Sequence, residues 1–117
     1  MPATVLIVDD HATFRALARR MLEAGGYDVV GEAEDGESAI DQVERLRPSL
    51  VLLDVQLPGL DGFAVAERLV TQDDPPAVVL TSSRDASAYR RRLATSPARG
   101  FLAKSDLTAP ALAALVA

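Results

Sequence analysis

Leu50-Val51-Leu52-Leu53-Asp54-Val55-Gln56-Leu57-Pro58-Gly59-Leu60-Asp61-Gly62 is the stretch on which the fold turns. Its first four residues are apolar without alternation, the pattern of a strand covered on both faces, as in a parallel sheet. A carboxylate follows at once, then a Leu-Pro-Gly turn. Working outward, three more runs share this character: Val5-Leu6-Ile7-Val8, Ala77-Val78-Val79-Leu80 and the weaker Gly100-Phe101-Leu102-Ala103. A fifth, Asp28 to Ala33, is more polar and reads as an edge strand. Between the runs lie apolar stripes at helical spacing. Phe14, Leu17, Ala18, Met21 and Leu22 form the first, ended by Gly25-Gly26, and Ala39, Ile40, Val43 and Leu46 the second, closed by Pro48. Phe63, Ala66, Leu69 and Val70 form the third. Asp85 to Leu93 is a weaker fourth, arginine-rich on its outer side, and Leu107 to Val116 a fifth. Five strand–helix alternations require crossover connections, so the expected class is α/β, a doubly wound five-stranded parallel sheet with five helices.

Composition narrows the partners. With 117 residues and 49% hydrophobic side chains, one domain spanning 1–117 is expected, with no room for an output domain. It would either work alone or derive from something longer. Seventeen acidic against twelve basic residues give a formal charge of −5, which disfavours direct nucleic-acid binding. Cysteine is absent, which removes disulfides and thiolate metal sites and suits a reducing compartment. The first apolar run is too short for a signal peptide and no later run could span a bilayer, so a soluble cytoplasmic protein without membrane contact is expected.

In an open parallel sheet, ligands bind beyond the carboxyl ends of the strands. Each apolar run ends in a polar group: Asp9-Asp10 after the first, Asp54 after the third, Thr81-Ser82 after the fourth, Lys104 after the fifth. Three carboxylates converging on one crevice repel unless a cation lies among them, and oxygen-only ligands without His or Cys nearby suit Mg²⁺. Mg²⁺ in turn suits phosphoryl chemistry. In that chemistry Asp54 would be the nucleophile, while Asp9, Asp10, Asp54 and a backbone carbonyl near Gln56 would surround Mg²⁺. Thr81 and Lys104 would meet the remaining phosphoryl oxygens. Lys104 is the only lysine beside eleven arginines, as though a compact point charge were required there.

Taken in order, Val8-Asp9-Asp10-His11, Leu52 to Gly62, Leu80-Thr81-Ser82 and Gly100 to Lys104 resemble the receiver domains of bacterial two-component response regulators, along essentially the whole chain. The beginning looks most like the receivers of LuxR-type regulators, which carry a helix-turn-helix output domain. This resemblance implies a flavodoxin-like fold with strand order 2-1-3-4-5, and phosphotransfer from a sensor histidine kinase to Asp54 followed by slow self-catalysed hydrolysis. It further implies a switch in which Thr81 moves toward the phosphoryl group, Phe101 turns inward and the face of helix 4, strand 5 and helix 5 changes. Any enzymatic activity would be confined to its own phosphotransfer and dephosphorylation. A DNA-binding output domain would belong to a longer parent chain.

Some readings remain open at this level. Counting back from Lys104 favours Ser82 as the switch hydroxyl, whereas the run Val78 to Leu80 favours Thr81; Thr81 is preferred, assuming one extra residue in the segment that follows. Ser105 stands where many receivers have a cis-joined proline, and Gln56 and Ser83 fall where the family tunes phosphoryl lifetime. His11 is left out of the chemistry, and Arg90-Arg91-Arg92 with Arg84 and Arg99 reads as a solvated face or a homodimer contact. The alternatives are a degenerate receiver acting as a phosphorylation-independent interaction module and a phosphatase of the haloacid dehalogenase type. The latter needs a second carboxylate two residues after Asp54, where Gln56 stands.

Overall fold

The computed structural model describes residues 3–117. Strands β1 (Thr4–Val8), β2 (Asp28–Ala33), β3 (Leu50–Asp54), β4 (Ala77–Ser82) and β5 (Gly100–Ala103) form one sheet in the order β2-β1-β3-β4-β5, every pairing parallel. Helices α1 (Ala12–Ala24), α2 (Gly36–Leu46), α3 (Gly62–Val70) and α4 (Arg90–Thr95) lie in the crossovers, and α5 (Ala109–Val116) follows the last strand. The doubly wound arrangement and the edge position of β2 are as the sequence implies.

Unbroken apolar runs are explained by two cores, one on each face. Leu6, Val8, Val51, Leu53, Val78 and Leu80 point toward α2 and α3, meeting Val43, Phe63, Ala66 and Leu69. Val5, Ile7, Leu50, Leu52 and Val79 point the other way, against Ala18 and Leu22 of α1 and Leu112 of α5. Successive side chains of a strand alternate faces, so a strand with two covered faces has no polar phase.

Local capping fixes where the crossovers start. Asp35, Asp61 and Thr108 each accept a hydrogen bond from the amide three residues on, at the N-termini of α2, α3 and α5. Two glycines shape the turn after β3. Gly59 has φ +74°, a left-handed conformation. Gly62 donates its amide to the Val55 carbonyl at 2.8 Å, and any Cβ there would lie 2.3 Å from the Asp54 carbonyl oxygen. Only glycine lets α3 begin this close to the strand end that carries Asp54.

The fourth helical segment differs from expectation. In place of one helix over Asp85 to Leu93, a 3₁₀ turn (Ala86–Tyr89) leads into a six-residue α4 that buries no side chain fully. Its arginine triplet interrupts the stripe that would anchor a longer helix. Likewise Lys104–Asp106 form a 3₁₀ turn, Leu107 is buried in the core outside any helix, and α5 starts only at Ala109.

Candidate functional site

The strand ends deliver their polar groups to one edge of the sheet. Asp9, immediately after β1, is fully buried; Asp10 and His11 beside it are exposed, and Asp54, at the end of β3, is 2% exposed. Ligand atoms of Asp9, Asp10, His11 and Asp54 all lie within 4.8 Å of one another. Lys104 enters from the end of β5, its Nζ 2.6 Å from Asp9 Oδ2 and 3.5 Å from Asp54 Oδ2. The same ammonium sits 4.4 Å above the Phe14 ring of α1, a cation–π contact that holds the lysine over the crevice.

Charge is crowded here. Burial, and after it the repulsion of Asp9, push the Asp54 carboxyl up from 3.8 to about 6, against the opposing pull of Lys104 and the Gln56 amide. That amide donates to Asp54 Oδ1 at 3.2 Å, while the Gln56 side chain is exposed. One lysine against three carboxylates leaves an excess of negative charge among hard oxygen atoms, the environment that a divalent cation such as Mg²⁺ fits.

Of the two hydroxyls, Thr81 is the register partner of Asp54 across β3 and β4, and so shares its face of the sheet. Its Oγ1 is buried and has no hydrogen-bond partner. Ser82 Oγ is occupied: it pairs with the Tyr89 hydroxyl at 2.9 Å and accepts from the Arg84 amide at 3.1 Å. The structure thus gathers Asp9, Asp10, Asp54, Thr81, Lys104 and the Gln56 amide at one edge, with Ser83 exposed.

The structure brings three further residues to the site. His11 Nδ1 lies 3.1 Å from both Asp9 Oδ1 and Asp10 Oδ1, so the imidazole set aside earlier belongs to the acid cluster. Arg15 donates to the Asp9 carbonyl. Tyr89 links β4 to the segment after it, stacked obliquely between Phe63 and Phe101. Only Arg15 left a sequence signal: a cation in a first helical turn, where the macrodipole opposes it.

The family model of the response regulator receiver domain matches residues 5–116. This chain belongs to the response regulator receiver family. The receiver is 35% identical over 102 residues to BvgA of Bordetella pertussis, a positive transcription regulator of virulence factors, covering 87% of this chain and 49% of that protein. It is 31% identical over 101 residues to the DNA-binding transcriptional activator EvgA of Escherichia coli, covering 86% and 50%. The chain spans about half the length of these curated relatives. Among solved structures, the receiver domain of the response regulator NarL from Mycobacterium tuberculosis superposes with a TM-score of 0.86 at 32% identity, covering 98% of this chain and 97% of that one. A LuxR-family two-component response regulator from Aurantimonas gives 0.86 at 26% identity, covering 99% and 86%. The flavodoxin-like strand order and the likeness to LuxR-type receivers are therefore established.

Proposed function

We propose that this receiver is a phosphorylation switch in which Asp54 takes a phosphoryl group from the phosphohistidine of a sensor histidine kinase, with Mg²⁺ held by Asp10 and Asp54 and supported by Asp9 and the Gln56 carbonyl. The observation carrying the proposal is the convergence of three carboxylates and one lysine on the carboxyl edge of the sheet. A carboxylate oxygen of Asp54 attacks phosphorus as the bond to the imidazole nitrogen breaks, so an acyl phosphate forms and the departing imidazole regains its electron pair. Lys104, already within reach of Asp54, meets one equatorial oxygen. Thr81 offers its unpartnered hydroxyl to another. Mg²⁺ would neutralise the charge that these donors leave uncompensated. Because the similar BvgA and EvgA are transcription regulators, the switch is proposed to control transcription through a DNA-binding part of a longer parent chain. A complete acid, hydroxyl and lysine set argues against the degenerate alternative.

Incubation with acetyl phosphate and Mg²⁺ is expected to add one phosphoryl mass, labile to hydroxylamine and absent in Asp54→Asn. No mass gain under trapping conditions, or gain retained in the variant, defeats the reading. Thr81→Ala should weaken beryllofluoride binding roughly 10- to 100-fold, the worth of one hydrogen bond to a charged group, and Ser82→Ala should weaken it less. The reverse order transfers the role to Ser82.

A further inference from the structure

Arg15 occupies the first turn of α1, a helix whose N-cap, His11, makes no side-chain capping bond. A cation there is disfavoured by the helix dipole, yet the side chain is only 16% exposed and two of its nitrogens are engaged. Nη1 donates to the Asp9 carbonyl at 2.6 Å, and Nε donates to Glu32 Oε1 of β2 at 3.0 Å. Glu32 is shared: Arg19 Nε donates to its other oxygen at 2.8 Å. The Asp9 amide meanwhile donates to the carbonyl of Ala33, the residue after Glu32, at 3.0 Å. A closed circuit thus runs from the end of β2 through Arg15 to Asp9 and back.

The carbonyl so held belongs to the rigid peptide plane joining Asp9 to Asp10. Turning that plane would swing the Asp10 carboxylate, the one exposed acid of the set. We infer that Arg15, braced by Glu32, is a positioning residue that fixes the Asp9–Asp10 peptide and with it the aim of the Mg²⁺ ligands, an inference that rests on the metal reading above. The ion pair alone does not account for this arrangement. Arg19 already gives Glu32 a guanidinium partner, and first its hydrogen bond, then that of Arg15, hold Glu32 below the usual carboxylate range despite partial burial.

Calorimetric Mg²⁺ titration of the whole chain, with urea unfolding in EDTA alongside, tests the idea. Arg15→Met should stay folded and lose roughly tenfold or more in Mg²⁺ affinity, the usual effect of removing an outer-shell partner. The charge swap Arg15→Glu with Glu32→Arg, made together with Arg19→Gln so that no second guanidinium faces position 32, restores an ion pair but leaves no donor at position 15. It should recover the urea midpoint and not the affinity. Native affinity in either variant overturns the inference. If Arg15→Met does not fold, Arg15→Lys is read instead: its single head cannot serve both Asp9 and Glu32, so an unchanged affinity is again fatal. Wild-type protein that binds no Mg²⁺, with no further loss in Asp10→Asn, sinks the metal reading itself, an outcome distinct from wild-type binding that Arg15 does not influence.

Discussion

The nucleophilic role proposed for Asp54 requires an ionised carboxylate, yet its surroundings favour the neutral acid. Burial and the neighbouring Asp9 raise it to about 6, against an ordinary 3.8. The folded state therefore binds this proton more tightly than the unfolded chain, and between those values stability falls as pH rises. Above about 6 the whole cost of the buried charge is present; below about 4 it is absent. Asp54→Asn should accordingly stabilise the metal-free domain at pH 7, by on the order of 2 kcal/mol, with the gain vanishing by pH 4. Urea midpoints in EDTA at the two pH values check this, and an asparagine variant weaker than wild type at pH 7 contradicts it.

The elements around the site are not equally well anchored. Strands β1 and β3 are covered on both faces, whereas α4 buries no side chain fully and hangs on a few long-range links. Arg92 pairs with Asp61 at 2.8 Å and lies 4.2 Å over the Phe63 ring, and Tyr89 bonds Ser82. Segments held this way open locally before the core does. Tyr89→Phe removes one hydroxyl bond, worth about 1 kcal/mol, and should speed hydrogen exchange across residues 85–95 while β1 and β3 keep their protection. Equal loss in β3 would mean that the segment is not an independent unit. This contrast also explains what could be read from sequence. Apolar runs and stripes announce elements that owe their stability to burial, so β1, β3 and α1 were legible. The 3₁₀ turn and short α4 owe theirs to contacts with Asp61, Phe63 and Ser82, which no local pattern encodes. For the same reason Asp54 and Lys104 could be picked out as polar ends of apolar strands, while Tyr89, which acts across elements, could not, and Arg15 showed only as a cation at a helix start.

At the scale of the whole molecule, folding itself creates the charge cluster. Position 54 lies far along the unfolded chain from the adjacent pair 9 and 10, and its carboxylate comes within 4.8 Å of theirs only when β1 and β3 pair. A divalent cation held at this edge, as proposed, would bind the native state far better than the unfolded one, and mass action would turn that preference into stability, about 2.7 kcal/mol when the ion stands at a hundred times its dissociation constant. For a domain of this size that corresponds to a rise of roughly 10 °C in Tm. Screening alone would act differently, because the three acids are close together and two of them, Asp9 and Asp54, are buried where mobile ions shield poorly. Scanning calorimetry should thus show the rise with Mg²⁺, little change with NaCl at matched ionic strength, and loss of most of the Mg²⁺ effect in Asp10→Asn. Equal shifts from both salts would mean that the carboxyl edge gathers counterions diffusely and holds no defined divalent site.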